Sequence, residues 1–416
     1  MVTVNDNERQ SSPISASKTL RILLVHNFYG SEIPSGENQV FDAEADLLER
    51  HGNVVRRFVR HSDEIRGKGL RGKIHGALVT PWNPSTIGAI RREIEVFHPD
   101  VVHVHNTFPL LSPSVFHGIG NRAAKVLTLH NFRLFCPAAI PMREDRVCTE
   151  CIDRHGVLPA LRHGCYRNSF AATLPLATNV ALHRMLGTWR NDVDTFIALS
   201  DFQRKLMAKA GLPEEKIAVK PNFYPGNPTP IPMSERGEPY VAFVGRLSKE
   251  KGVPALVEAW KLWGPGAPRL LIVGDGPLRG WIEANSSGAN IELTGLLPAA
   301  AAQARIAQAR LVILPSVWFE CFPMVVREAF AFGTPMAVSD IGPLPSIVRD
   351  GVSGIVFQPG DAASLLDKVR GALADPARLE RLGQAGRAEF ERLYNEEVNF
   401  RLLMEIYGRA IANNQK

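Results

Sequence analysis

Short apolar runs alternate along the chain with stretches whose apolar residues recur at helical spacing. The first run, Leu20 to His26 (LRILLVH), suits a strand buried on both faces of a parallel sheet. A loop rich in Gly, Pro and Ser follows, from Asn27 to Asn38. Then QVFDAEADLLERHG carries Val40, Phe41, Ala45, Leu47 and Leu48 at helical spacing before Gly52 closes it. Val101–His105 and Val126–His130 read as short strands rich in β-branched residues. Phe196–Ser200 reads as another, leading into the helical pattern SDFQRKLMAKAG.

Pro and Gly crowd into PNFYPGNPTPIPMSERGEP, residues 221–239, which suits no helix or strand interior and reads as an interdomain linker. Beyond it the alternation restarts, with strands expected at Tyr240–Gly245, Arg269–Gly274, Ile291–Gly295, Arg310–Ser316, Pro335–Asp340 and Gly354–Phe357. From Pro376 to about Asn413 the pattern is long, charged and helical. The expectation is an α/β chain of two Rossmann-like, doubly wound domains, residues 19–220 and 240–395, facing each other across a cleft. A final helix over 396–416 is expected to cross back to the first domain, and the polar residues 1–18 to form a disordered leader. Ligands of open α/β sheets sit at the carboxyl ends of the strands, so facing sheets share one site. The fold alone names no reaction.

Composition excludes several classes. With 416 residues, 45% hydrophobic and 22% charged, the chain is an ordinary folded protein rather than a disordered, collagen-like or disulfide-dense one. No apolar stretch approaches the roughly 18–20 residues that span a bilayer, and the N-terminus lacks the apolar core of a signal peptide, so a cytoplasmic location is expected. The net charge of +6 favours anionic partners. Much of the excess lies in Arg56, Arg57, Arg60, Arg66, Lys68, Arg71, Lys73, Arg91 and Arg92. A solvated face is the plainer reading of this stretch. The sharper one is contact with phospholipid head groups, each nearby cation contributing on the order of 1 kcal/mol. Aromatic residues do not interleave with these charges, so no nucleic-acid partner is expected.

The densest candidate chemistry lies in the second domain. Gly245-Arg246-Leu247 ends a strand and Lys251-Gly252 follows in the next turn, placing Arg246 and Lys251 where they can hold a diphosphate from two sides. Standing alone, they would read as two surface loop cations. VGDGP brings Gly274 and Gly276 to another strand end, where backbone can approach a ligand closely. In SVWFECFPMVVREAFAFGTP, Glu320 precedes a helix that Pro323 opens and Gly333-Thr334-Pro335 stops, with Glu328 inside it. The amides of Phe322, Met324 and Val325 are then free donors at the positive end of the helix dipole. Glu328 reads either as a helix-surface residue or, among Val, Ala and Phe neighbours that make an unpartnered charge costly, as a ligand contact.

Together, VGRLSKEKG, VGDGP, TGLLP and PSVWFECFPMVVREAFAFGTPMAVSDIGPLPSIVRDGVSGIVF resemble the nucleotide-binding half of a GT-B glycosyltransferase. The likeness is greatest to the large retaining family four of bacterial surface-polysaccharide enzymes. It runs in order over Tyr240–Asp361 and extends more loosely through PDVVHVHN, LTLHNF, ALSDFQRKLM and VKPN of the first domain. The resemblance implies that Arg246 and Lys251 bind the donor diphosphate, Glu328 the ribose hydroxyls and Glu320 the donor sugar. Gly245, Gly274, Gly276, Phe322, Pro323 and Met324 would complete the donor site. His130 would face the sugar across the cleft, and Gly36, Glu37 and Asn38 would lie on the acceptor side. The segment PSGENQ has one Gly where many relatives have two, and Pro343 and Ser346 stand where a Gly and a Glu are common.

The resemblance further implies retention of anomeric configuration and no cofactor or metal in catalysis; no covalent nucleophile is assigned, since no first-domain carboxylate is evidently placed for one. The expected partners are a UDP- or GDP-linked sugar and a saccharide acceptor, lipid-linked, at the inner face of the cell membrane. A nucleotide-sugar epimerase and a non-catalytic sugar-nucleotide-binding protein are the rivals. Turnover with intact binding separates the last of these from an enzyme. Asp192-Val193-Asp194 has the form of a metal-binding Asp-x-Asp, but it precedes a strand and so falls at the wrong end for the site. Cys136, Cys148, Cys151 and Cys165 cluster in an insertion at about 136–165. The Cys148-x-x-Cys151 spacing is that of a zinc-ligand pair, which the flanking cysteines would complete as a structural zinc site. Reduced thiols and an oxidised pair are the alternatives.

Overall fold

Every residue of Ile22–Asn27 is buried, which makes β1 (Arg21–Phe28) a central strand whose apolar run is covered on both faces. The computed structural model describes residues 19–30 and 35–415; the expected leader over 1–18 lies outside them, as do residues 31–34 of the loop after β1. The first domain continues through β2 (Val54–His61), β3 (Val101–Asn106) and β4 (Ala124–Thr128). A small hairpin, β5 (Met142–Arg143) and β6 (Arg146–Val147), stands in the cysteine-bearing insertion, and β7 (Thr195–Ala198) and β8 (Ile217–Val219) follow. The main sheet runs in the order β2-β1-β3-β4-β7-β8, all parallel.

The second domain contributes β9 (Tyr240–Val244), β10 (Arg269–Val273), β11 (Ile291–Gly295), β12 (Leu311–Leu314), β13 (Met336–Ser339) and β14 (Ile355–Phe357). Their order is β11-β10-β9-β12-β13-β14, again parallel. Strand order therefore reverses between β1 and β3 in one sheet and between β9 and β12 in the other. Crevices for ligands open at such reversals, beyond the carboxyl ends of the strands.

One apolar cluster runs through both domains, joining Val102 and Phe196 to Val312 and Phe330. After a π-helical stretch at Phe390–Tyr394, Asn395 caps a last helix, Glu396–Asn414, by accepting the Val398 amide at 2.9 Å. Its Leu403, Ile406, Tyr407 and Ala410 pack on Leu20, Ile22 and Leu24 of the first sheet. The C-terminal helix thus closes the sheet from which the chain set out.

Two departures from the sequence reading matter. β4 ends at Thr128, not His130, so His130 sits in the loop beyond the strand. β2 falls in a stretch read only for its charge. It is an edge strand whose arginines point to solvent and find acids: Arg56 on Glu93 at 2.8 Å, Arg57 on Asp42 and Asp46, and Arg60 on Glu64. Those cations are neutralised locally and form no open basic patch.

Candidate active site

The loop after β9 and the loop after β12 meet at the second domain's strand reversal. Gly252 has φ +70°, and a Cβ there would come within 1.7 Å of the Pro315 carbonyl oxygen, so only glycine lets the two loops touch. This contact brings Lys251 to Glu320: Nζ lies 2.7 Å from Oε1. Ser316 Oγ donates to the same oxygen at 2.6 Å and Trp318 Nε1 at 3.1 Å. All three donors converge on Oε1, so Oε2 keeps its acceptor capacity. The Lys251 ammonium also lies 5.7 Å from the Trp318 ring centroid. Arg246 is exposed, with no hydrogen bond or ion pair from its side chain among the described residues.

Gly274 and Gly276 let the neighbouring loop lie against this one. A Cβ at 274 would fall 2.0 Å from the Gly245 carbonyl oxygen, and one at 276 would fall 2.5 Å from that of Leu247. Pro323 stands at the N-cap of the Met324–Ala331 helix rather than in its first turn, with φ −70° and ψ 129°. The Phe322 ring turns inward, 5.2 Å from Tyr394. Glu328 lies one turn inside the helix; burial raises its pKa, while Arg327 and a hydrogen bond from Gln303 pull it back down.

Across the cleft, the helix Gly36–Arg50 starts against the helix that begins at Met324, where a Cβ on Gly36 would sit 3.1 Å from Met324 Cγ. Glu37 Oε1 accepts from Asn131 Nδ2 at 2.8 Å, and the Tyr29 hydroxyl stands beside the carboxylate as a further donor. Burial raises the Glu37 pKa, against the opposing effects of Asn131 and Arg133. Asn38 is turned to His26, with Oδ1 and Nε2 2.9 Å apart. His130 Nε2 and His105 Nδ1 share a hydrogen bond of 3.0 Å. Burial, with the charges of His26 and Lys220, pushes the His130 pKa down to about 3, so this imidazole is neutral at ordinary pH.

Behind His130 lies a buried network that sequence reading missed. His105 Nε2 is 3.5 Å from Glu44 Oε2, and Glu44 Oε1 pairs with Lys220 Nζ; all three side chains are fully buried. Lys220 also donates to Asn399 of the last helix at 3.2 Å. His103 is held by Thr128 and Tyr407. Glu44, His103 and His105 have the spacing of a metal cluster, but Lys220 supplies the positive charge and both His103 nitrogens are engaged. The members lie far apart in sequence, so no local pattern announced them.

The Asp-x-Asp is structural. Asp194 accepts the Lys125 amide at 2.7 Å and pairs with its ammonium, while Asp192 lies 3.6 Å from His117.

Among known families, a model described as Glycosyl transferases group 1 matches residues 231–389, and one described as Glycosyltransferase Family 4 matches residues 35–225. The chain belongs to the GT-B glycosyltransferases of family 4. It is 31% identical over 249 residues to the alpha-maltose-1-phosphate synthase of Mycolicibacterium smegmatis, which covers 53% of this chain and 64% of that protein. The chain spans less than two thirds of the length of the curated relatives it matches. Among solved structures, sucrose-phosphate synthase from Thermosynechococcus elongatus shares the fold with a TM-score of 0.66 at 20% identity, over 92% of this chain and 96% of that one. Anabaena HepE in complex with UDP-glucose does so with a TM-score of 0.61 at 18% identity, over 92% and 98%.

Proposed function

We propose that the chain transfers a sugar from a nucleotide diphosphate sugar to a saccharide acceptor, with retention at the anomeric carbon and no metal ion in the chemistry. The observation that carries this reading is the Lys251–Glu320 pair at the strand reversal, 2.7 Å long, beside the unpaired Arg246. Two cations at a strand end, Lys251 held on Glu320 and Arg246 exposed beside it, suit the developing charge of a leaving diphosphate, an electrostatic role in which one donor is worth about 3–4 kcal/mol. Glu320 Oε2 accepts from the donor sugar and Glu328 from the ribose. The acceptor enters beside Gly36–Asn38 and its hydroxyl attacks from the face the diphosphate leaves. The diphosphate takes the electron pair of the breaking C–O bond, and the hydroxyl proton passes to it.

Calorimetric titration with UDP, GDP and ADP, free and sugar-linked, tests the donor site, with UDP-glucose first because a structural neighbour holds it. One base binds saturably, and Glu328→Ala weakens it by about 10–100-fold, the worth of charge-assisted hydrogen bonds of about 1.5–3 kcal/mol. No binding to any nucleotide overturns the reading.

We further propose a lipid-linked acceptor of surface polysaccharide synthesis, met at an anionic membrane surface on the cytoplasmic side. In the helix Gly69–Val79 two of the three glycines face inward and the large apolar residues outward. Gly72 and Gly76 are buried against Ile65, while Leu70, Ile74 and Leu78 are 72%, 52% and 71% exposed. Arg71, Lys73 and His75 flank this stripe, and the helix has no acidic residue. An apolar ridge set among cations suits the boundary between anionic head groups and acyl chains. The helix follows β2 at the carboxyl ends of the strands, the same end as the acceptor side. Sedimentation with phosphatidylglycerol vesicles is expected for the wild type and lost in Ile74→Glu/Leu78→Glu, with donor affinity unchanged. No sedimentation of the wild type at low salt overturns this part.

A further inference from the structure

The insertion after β4 is short of apolar core. It holds the β5–β6 hairpin and two helices of four and five residues, Glu150–Asp153 and Leu158–Arg162. Its backbone is also costly. Of the eight described non-glycine residues with positive φ, four fall here, Ala139, Glu144, Asp145 and His155, and Arg167 and Asn168 follow just after it. Left-handed conformations in such residues cost on the order of 1 kcal/mol each. Glu144 and Asp145 make the tight turn between β5 and β6, which delivers the chain to Cys148. Something other than apolar packing has to hold this segment in one conformation.

Cys136, Cys148, Cys151 and Cys165 all line one cavity, of about 20 Å³, which is room for a single ion or water. None is in a disulfide. The remaining lining is largely apolar, from Ala138, Ile140, Ile152 and Ala160, and offers no carboxylate or imidazole. Arg143 also lines the cavity; its Nη2 pairs with Glu150 at 2.7 Å, while Nη1 is buried with no hydrogen-bond partner among the described residues. A buried guanidinium N–H without an acceptor is costly unless a negative group lies within reach.

We propose that Cys136, Cys148, Cys151 and Cys165 hold one zinc ion as four thiolates, fastening the insertion to the first domain. The sulfurs surround the cavity without standing at coordination spacing, which among the described residues only Glu44, His103 and His105 have, so zinc draws them inward as it closes a structural four-thiolate site. Binding displaces four thiol protons to solvent and leaves a site of net charge −2. Arg143 Nη1 then donates to a ligand sulfur and offsets that charge, as outer-shell partners of metal sites do. The cross-link also has a bearing on the cleft. Asp145, at the hairpin tip, pairs with Lys249 at 3.0 Å, in the turn that carries Lys251. The proposal stands independently of the donor-site reading, because its readouts need neither donor nor acceptor.

Elemental analysis of protein purified without chelator is expected to give one zinc per chain, lost in Cys148→Ser/Cys151→Ser. Should that variant fail to fold, cobalt substitution of the wild type gives the answer. The expected spectrum has thiolate-to-cobalt charge transfer and the strong visible bands of a tetrahedral site. Stripping zinc with a chelator is expected to open the insertion to limited proteolysis, and zinc to restore its protection. Two results overturn the proposal: absence of zinc with no tetrahedral cobalt spectrum, or fewer than the five thiols of the chain in denatured, unreduced protein, which marks a disulfide instead.

Discussion

Lys251→Met is expected to lower donor turnover by about 100–1000-fold at saturating donor, the cost of removing one preorganised charge-stabilising donor. The ammonium is fixed at 2.7 Å from Glu320 and held beside the Trp318 ring, so it needs no reorganisation as charge develops on the leaving diphosphate. Its loss acts twice. The leaving group loses a cation, and the buried Glu320 carboxylate, left with only Ser316 and Trp318 as neutral donors, now repels the diphosphate. Glu320→Gln in the same background removes that repulsion, so the double variant is expected to lose less than the two single effects added together. Lys251→Arg is also impaired, because a planar fork cannot reproduce a point donor in this corner. Release of nucleoside diphosphate gives kcat, and calorimetry gives the donor Kd. A Lys251→Met variant with wild-type kcat would remove Lys251 from the chemistry.

The meeting of Lys251 with Glu320 was largely legible because the residues around each are local in sequence. Arg246 and Lys251 stand within one turn of a strand end, and Glu320 lies just before a helix, so strand-helix alternation already placed them near one another. Their contact depends on Gly252 against Pro315, which only coordinates reveal. The two further donors to Glu320 had a weak local signal, since Ser316 and Trp318 precede it by four and two residues. In the first domain, local pattern failed where charge sits on an edge strand: β2 reads as a basic run because its arginines face solvent and are answered by acids from other elements. The helix Gly69–Val79 inverted the usual rule, with glycine inside and leucine outside. The Glu44–Lys220 contact joins residues 176 positions apart, a separation at which no periodicity carries information.

That contact carries the largest expected effect on stability. Glu44→Ala leaves Lys220 as an uncompensated charge with full burial, and a loss of about 3–5 kcal/mol is expected. Lys220→Met does comparable damage by stranding Glu44 beside His105. Replacing both together by apolar residues is expected to recover most of the loss, because no buried charge then remains. Hydrogen exchange of β1 and β3 amides localises the effect, since Glu44 faces His103 and His105 of β3 from a helix that packs on both strands. The damage reaches the cleft as well. Glu44 lies 3.5 Å from His105 Nε2, and His105 Nδ1 shares a hydrogen bond with His130 Nε2, so loss of Glu44 acts on His130 through one intervening ring. The same burial sets a pH dependence. His26 is held down to about 4 and His130 to about 3, and burial lowers His103 and His105 well below the usual imidazole range. The unfolded chain takes up protons on these groups below pH about 6.5, while the folded chain does not. Stability is therefore fully present above that pH and declines as the pH falls toward 4 and 3. Denaturant midpoints across pH 7 to 4 measure the decline, and a flat profile would mean that these imidazoles are not held neutral by burial.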